Sequence, residues 1–248
     1  MNDLFDLNGK RALITGATGG LGQAIARVLA GSGAQVLISD LDPEGCTAVA
    51  RALKGEALPA DLADPSSVSA LAAAAGPVDV LVCNAGTEGP TGPLADASPA
   101  EFDRVMQINL RAAMDLSGAL IPGMAARGGG SVILMASIAA LRGNRAIGLY
   151  AMSKAALTQL ARNLAVEWGP SGVRVNAIAP GLIRTPLAKD LLANDAFMAR
   201  RLAATPLRRV GEADEIAGVA LMLASRAGGF ITGQVLVVDG GTMISDGS

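Results

Sequence analysis

Arg11-Ala12-Leu13-Ile14-Thr15-Gly16-Ala17-Thr18-Gly19-Gly20-Leu21-Gly22 decides the fold. The first five residues form an apolar run of strand length, and a helical pattern begins at Gly20. Glycines between them let the backbone turn tightly and approach a pyrophosphate closely. The helix start adds N–H donors and the positive end of a dipole. The spacing is Gly-x-x-x-Gly-x-Gly, not the Gly-x-Gly-x-x-Gly of the more familiar dinucleotide fingerprint. Tight strand–helix packing also needs small residues, so the turn alone leaves both readings open.

Working outward, apolar runs of strand length alternate with longer segments of helical period. The strands fall near 11–15, 35–39, 56–59, 78–82, 131–136, 174–178 and 234–238. Helical stretches lie near 20–31, 43–53, 65–75, 99–126, 148–168 and 212–225. This alternation predicts an α/β chain, a Rossmann-like doubly wound parallel sheet of seven strands with helices on both faces. No Pro-, Gly- and Ser-rich linker divides the chain, so 1–248 reads as a single domain.

Two segments break the rhythm. Residues 87–97 form a Pro- and Gly-punctuated loop after the fourth strand, and 181–211 form an insertion after the sixth. Leu187, Leu191, Leu192, Phe197 and Met198 give the insertion an apolar stripe. Ligands in open α/β sheets sit beyond the carboxyl ends of the strands, so residues 182–204 are a candidate substrate lid. A helix packed permanently on the core would carry the same stripe.

Composition narrows the function. Half the 248 residues are hydrophobic and only 2% are aromatic, which suits a core of aliphatic strands buried on both faces. The net charge is −2 with no long basic run, which disfavours nucleic acid and anionic membranes as partners. No uncharged stretch reaches the roughly 18 residues of a membrane span, and 1–10 is polar, so a cytoplasmic protein is expected. Cys46 and Cys83 form no metal-like cluster, and reduced thiols are expected. The chain has no histidine, which excludes a Ser-His-Asp triad and removes the commonest zinc ligand; no metal is expected.

Asp40, at the end of the second strand, lies 18 residues past Gly22. An acid there can bind the adenosine ribose hydroxyls and would repel a 2′-phosphate. Gly19 and Leu41 offer no cation for that phosphate, so NAD is favoured over NADP. Asp40-Leu41-Asp42-Pro43 would also start a helix well. Asp61 likewise suits either an adenine contact or a turn.

Tyr150 is the only tyrosine, four positions before Lys154, and a helix brings such positions onto one face. Opposite charges about 4 Å apart at an effective dielectric of ~20 attract by ~4 kcal/mol. At ~1.36 kcal/mol per pH unit this would bring a phenol down to near neutrality. A proton donor and acceptor poised there is what general acid–base catalysis needs.

Together, Thr15-Gly16-x-x-x-Gly20-x-Gly22, Asp61-Leu62, Asn84-Ala85-Gly86, Asn109, Ser137, Tyr150-x-x-x-Lys154 and Pro180-Gly181 occur in an order that resembles the short-chain dehydrogenase/reductase family, from Lys10 to Thr242. The resemblance implies a catalytic tetrad. Tyr150 exchanges a proton with the substrate oxygen, and Lys154 holds the nicotinamide ribose and acidifies the phenol. Ser137 hydrogen-bonds the substrate oxygen, and Asn109 holds a water in a relay leading from Lys154. For the cofactor it implies that Gly16, Gly20, Leu21 and Gly22 cover the pyrophosphate. Asp61 and Leu62 flank the adenine, while Asn84, Ala85 and Gly86 line the channel. In the stretch from Pro180 and Gly181, the backbone of Ile183 and the hydroxyl of Thr185 bind the carboxamide. Cys83 and Ala136 depart from common family residues at positions outside the tetrad.

The implied activity is NAD-dependent interconversion of a secondary alcohol and a ketone. A family member using bound NAD for epimerisation or dehydration is one alternative; a nucleotide-sensing protein that has lost catalysis is another. The substrate pocket should be bounded by 138–147, 87–93 and 182–204. Arg142, Arg145 and Arg184 could meet an anionic substrate or simply stand in solvent, and the lid stripe suits a hydrophobic or medium-sized ketone. The resemblance also implies a homotetramer. Residues 150–168 give that partial support, with a stripe of Leu157, Leu160, Ala161, Leu164 and Trp168 and a second side at Ala151 and Ala155.

Overall fold

Strand alternation sorts the apolar residues onto two faces, and the helices between strands cover both. A computed structural model describes residues 3–245, with the side chains of Asp3 and Leu187 outside the described set. The strands are β1 (Arg11–Thr15), β2 (Gln35–Ser39), β3 (Glu56–Ala57), β4 (Val80–Cys83), β5 (Gly130–Met135), β6 (Val173–Pro180) and β9 (Val235–Val238), with a short pair described below. They form one seven-stranded sheet in the order β3-β2-β1-β4-β5-β6-β9, every pairing parallel. This is the expected doubly wound arrangement. The order reverses between β1 and β4, the position at which such sheets open a crevice for ligands.

The helices are α1 (Gly20–Gly31), α2 (Pro43–Leu53), α3 (Pro65–Ala75), α4 (Pro99–Met106), α5 (Ala112–Ala126), α6 (Gly148–Trp168) and α9 (Ala213–Ala224). On one face Leu13, Leu81, Val132, Leu134, Val175 and Ala177 meet α3, α5 and α6 through residues such as Leu71, Leu116, Ile121, Leu157 and Ala161. On the other, Ala12, Ile14, Val82, Ile133 and Ile178 meet α1, α2 and α9 through Ile25, Val49 and Ile216. Each fully buried Leu or Ile contributes about 1.5–3 kcal/mol, so the two layers dominate the stability.

Helix starts follow from local chemistry. Asp42 caps α2 and Asp64 caps α3, each with proline next, and Ser98 with Glu101 forms a capping box on α4. The start of α1 is different: Gly19 supplies no side chain, and no acid occupies the first turn.

Two features depart from the expected layout. The helix foreseen over 99–126 is interrupted by a π turn at Gln107–Arg111. The insertion also carries a ribbon: β7 (Ile183–Arg184) pairs in parallel with β8 (Gly211–Glu212). This ribbon brings the two ends of the insertion side by side. Between them lie α7 (Lys189–Leu192) and α8 (Asp195–Ala203), neither with a buried residue among those described. Leu191 is exposed, and Leu192, Phe197 and Met198 are not fully covered. Among the described residues no helix is long and apolar enough to cross a membrane.

Candidate active site

Ser137 follows β5 by two residues and starts the 3-10 turn Ile138–Leu141, its Oγ accepting from the Ala139 N–H at 3.1 Å. α6 packs on this turn and on β6, which brings Tyr150 and Lys154, one helical turn apart, to the same strand end. The Lys154 Nζ is buried, donates to the Met135 carbonyl at 2.8 Å and lies over the Tyr150 ring, 5.6 Å from its centroid. An ammonium has three donors, and among the described residues Met135 is the only acceptor it finds. Gly86, at the end of the β4 loop, makes room for it: a Cβ there would stand 3.0 Å from Nζ.

Burial pushes the Lys154 ammonium down to about 8. Burial also raises the Tyr150 phenol above its ordinary value; a hydrogen bond with Ser137 offsets part of this, and the nearby Glu88 charge adds to the rise. The expected acidification of the phenol by Lys154 is therefore absent in this chain alone. The lysine turns its charge to a carbonyl and the ring face, and the phenol loses more by leaving water than it gains. Cys83 is buried beneath the site, and desolvation pushes its thiol up to about 12, which leaves it inert as a nucleophile.

Asn109 sits in the π turn, 1% exposed. Its Nδ2 donates to the Thr87 carbonyl at 2.8 Å and to Ser153 Oγ at 2.9 Å, and its Oδ1 accepts from the Thr87 N–H at 2.8 Å. Both side-chain donors are spent on holding the 87–97 loop against α6. A relay water there would have to use the remaining Oδ1 lone pair or a backbone group.

The glycine-rich turn shows why glycine is needed at Gly16, Gly20 and Gly22. Gly16 has φ +63°, a left-handed conformation, and a Cβ on Gly22 would lie 2.1 Å from the Gly16 carbonyl oxygen. A Cβ on Gly20 would meet Pro186 at 2.9 Å and Thr185 at 3.1 Å, so the start of the insertion crosses the turn at this point. Leu21 packs partly buried against the core. Asn84 braces the turn from β4: its Nδ2 donates to the Thr15 and Gly16 carbonyls at 3.1 and 3.0 Å. Thr15 Oγ1 accepts from the Asn84 and Ala85 N–H groups at 3.1 and 3.2 Å. Pro180 ends β6, and Gly181 lies so near the chain after β9 that a Cβ would meet Asp239 Cα at 2.7 Å. Ile183 is buried in β7.

Asp40 reaches this turn. Its Oδ2 accepts from the Thr18 N–H at 3.0 Å and hydroxyl at 2.6 Å, and its Oδ1 from the Leu41 N–H at 2.7 Å. Asp61 lies farther along the edge and accepts from the Ala63 N–H at 2.8 Å, a turn role; the Leu62 carbonyl accepts from Gln107 at 3.2 Å. Among the candidate arginines, Arg184 is paired with Glu212 at 3.1 Å. Sequence reasoning missed Glu88 beside the phenol, Thr18 under Asp40 and Ser153 against Asn109. A hydroxyl inside Tyr-x-x-x-Lys was the one available hint.

One observation tests the fit of a dinucleotide: α1 begins with N–H groups that no side chain caps, and its first turn holds no acidic residue to compete with a phosphate. The residues present fit such a group. A doubly wound sheet of this order, with phenol, ammonium and hydroxyl meeting beyond its carboxyl edge, defines a Rossmann-type α/β enzyme. Residues 16–243 match the family model described as enoyl-(acyl carrier protein) reductase. The chain is 34% identical to gluconate 5-dehydrogenase of Gluconobacter oxydans strain 621H, over 98% of each chain. It superposes on a 7α-hydroxysteroid dehydrogenase complexed with NADH and 7-oxo glycochenodeoxycholic acid at a TM-score of 0.91, 38% identical over 97% of each chain. It also superposes on a gluconate 5-dehydrogenase from Burkholderia cenocepacia J2315 in complex with NADP and tartrate at a TM-score of 0.93, 34% identical over 98% of each. The chain belongs to the short-chain dehydrogenase/reductase family, and it is an oxidoreductase of the alcohol–ketone class.

Proposed function

We propose that the protein interconverts a secondary alcohol and a ketone with NAD, Tyr150 serving as general acid and base. One observation carries this reading: Tyr150, Ser137 and Lys154 converge beyond β5, beside the uncapped start of α1. When bound, the nicotinamide would supply or accept the hydride. The chain's own groups do the rest. Ser137 and the Tyr150 hydroxyl grip the substrate oxygen and stabilise charge developing on it. A phenol raised by burial stays protonated at neutral pH, which suits giving its proton to a carbonyl oxygen. For alcohol oxidation it must ionise first, and the unused Lys154 donors, together with positive charge on the cofactor, favour that. Lys154 would hold the nicotinamide ribose, and Asn109 would act by fixing the Thr87 loop.

Gly16, Gly20, Leu21 and Gly22 would line the pyrophosphate, with Asn84, Ala85 and Gly86 beside the nicotinamide ribose. Asp61 and Leu62 would border the adenine. Pro180, Gly181, Ile183 and Thr185 would hold the carboxamide. Asp40 keeps acceptor capacity at the adenosine end, where a 2′-phosphate would meet its charge; this supports NAD over NADP. We further propose residues 182–204 as a substrate lid on a single domain, because α7 and α8 bury nothing in the core. A homotetramer is supported by apolar residues left exposed on the outer faces, Val166 of α6 and Phe230 before β9 among them.

The test is a spectrophotometric screen of alcohols and ketones with both cofactors, repeated with Tyr150→Phe. Turnover by the parent with NADH formed one for one, and a loss of ~10²-fold or more in the variant, is the expected result. Normal turnover in Tyr150→Phe refutes the mechanism. Light scattering of the purified protein reads the assembly.

A further inference from the structure

The insertion and its neck hold five arginines that the fold treats unequally. Arg184 pairs with Glu212 and Arg209 with Glu215. Arg208 donates to the Leu202 and Ala203 carbonyls. Arg200 is exposed to solvent. Arg201 stands apart: its Nε is buried and meets no hydrogen-bond partner among the described residues. A buried donor without a partner is costly, and native structures rarely keep one without use.

Its position is defined by its neighbours. The Arg201 carbonyl accepts from Thr205 Oγ1 at 2.8 Å, and Thr205 Oγ1 touches Thr242 Oγ1 at 3.0 Å, beyond β9. Burial is the main influence that disfavours a charged Arg201; the Arg142 charge, five residues past Ser137, adds to it, and Asp239 partly compensates. Asp239 spends its oxygens on the Gly241 and Met243 N–H groups at 2.8 and 2.7 Å, so it lends its field and not a paired carboxylate. No ion pair to Arg142 or Arg201 occurs among the described residues. Two guanidinium groups thus share the carboxyl edge between β5 and β9. Glu88 approaches Tyr150 from the β4 side. Glu88 thus lies on the phenol's side of the site, while Arg142 and Arg201 lie towards β9, where Asp239 offsets part of their charge.

We propose that Arg201, supported by Arg142, recognises an anionic group of the substrate, so that the compound turned over is an organic anion of the hydroxy-acid or oxo-acid class. This deepens the alcohol–ketone reading of the same site and rests on it. The forked guanidinium of Arg201 would take the anionic group, satisfying Nε, while Glu88 turns that group away from the phenol. Recognition alone is involved, and no bond is made or broken at these arginines.

The test uses the full chain with NAD, offering each of a series of hydroxy acids beside its uncharged methyl ester. The acids should be preferred by about tenfold or more in kcat/KM. Arg201→Gln should lower kcat/KM for the acids by ~10–100-fold, mainly through KM, and leave the esters nearly unchanged. Arg201→Lys should retain part of the preference, and Arg142→Gln should lose a smaller share. Equal losses on acids and esters would make Arg201 a structural residue and overturn the proposal, as would a parent that prefers esters. If the parent turns over no alcohol or ketone, the alcohol–ketone reading has failed, and the anion site is then read by thermal shift. Tartrate should stabilise the parent more than the neutral polyol threitol does, and Arg201→Gln should erase the difference. No difference in the parent, or the same difference in both proteins, overturns it.

Discussion

The two edges of the sheet treat their polar groups in opposite ways. At the amino edge Arg11 donates to the Pro77 carbonyl at 2.9 Å and the Ala75 carbonyl at 3.1 Å, and Asp79 accepts from the Arg11 N–H at 3.0 Å. Arg127 reaches the Val78 carbonyl, and Arg174 donates to the Gly228 and Ser225 carbonyls at 2.8 and 3.3 Å. Chain meets chain there, and little is left over. At the carboxyl edge α1 starts uncapped, Lys154 has one acceptor for three donors, and Arg201 Nε has none among the described residues. The incompletely bonded end is the carboxyl edge, where open sheets of this kind place their ligands.

This contrast makes a sharp claim: changes at the carboxyl edge should cost activity at little cost in stability, and changes at the amino edge the reverse. The largest expected effect is Tyr150→Phe, ~10²–10⁴-fold in kcat with the melting temperature almost unmoved. A variant that unfolds instead would erase the distinction. Next is Arg174→Ala, which strips two loop carbonyls of a donor. Urea unfolding should show a loss of about 1–3 kcal/mol, while KM for NAD stays within error. Asp40→Ala should raise KM for NAD by roughly tenfold and relax discrimination against NADP, the size of a lost charge-assisted hydrogen bond or two. Unchanged preference would mean that the ribose is held elsewhere.

The smallest effect concerns pH. Lys154 is lowered in the folded chain, to about 8 from 10.5, so between those values the unfolded chain binds more protons. Stability from this group therefore rises with pH through that window and is least below it. Tyr150 is raised, which works the other way only above its ordinary value near 10. Urea midpoints of the cofactor-free protein at pH 7.5 and 9.5, compared with Lys154→Met, should show a rise in the parent that the variant lacks. Equal slopes would show that the ammonium is not desolvated.

Much of this was legible in the chain, for reasons that can be named. Asp42-Pro43, Asp64-Pro65 and Ser98-Pro99 announce helix starts by local chemistry, and α2, α3 and α4 begin there. Aliphatic runs buried on both faces leave a continuous signal, so every strand of the large sheet was found, with ends displaced by at most two residues. The family motifs likewise marked out Ser137, Tyr150 and Lys154. The ribbon Ile183–Arg184 with Gly211–Glu212 escaped because two-residue strands far apart in sequence carry no periodicity. The π turn at Asn109 escaped because it shifts a helical register without changing the pattern of apolar residues. The phenol was misjudged because spacing alone reports that Lys154 is near. It does not report that Nζ faces Met135, or that Glu88 and burial oppose ionisation. Arg201 was passed over for the same reason: its isolation is a property of neighbours drawn from three separate segments.

The β7–β8 ribbon has a consequence for how such a chain can change. With Ile183 beside Gly211 and Arg184 beside Glu212, the excursion between them leaves and returns at one doorway. Its length and residues can be rewritten without pulling on the strands that carry the reacting groups. Transplanting 187–210 between relatives, with Thr185 kept in place, should then exchange substrate preference as a unit, leaving the hydride chemistry where it was.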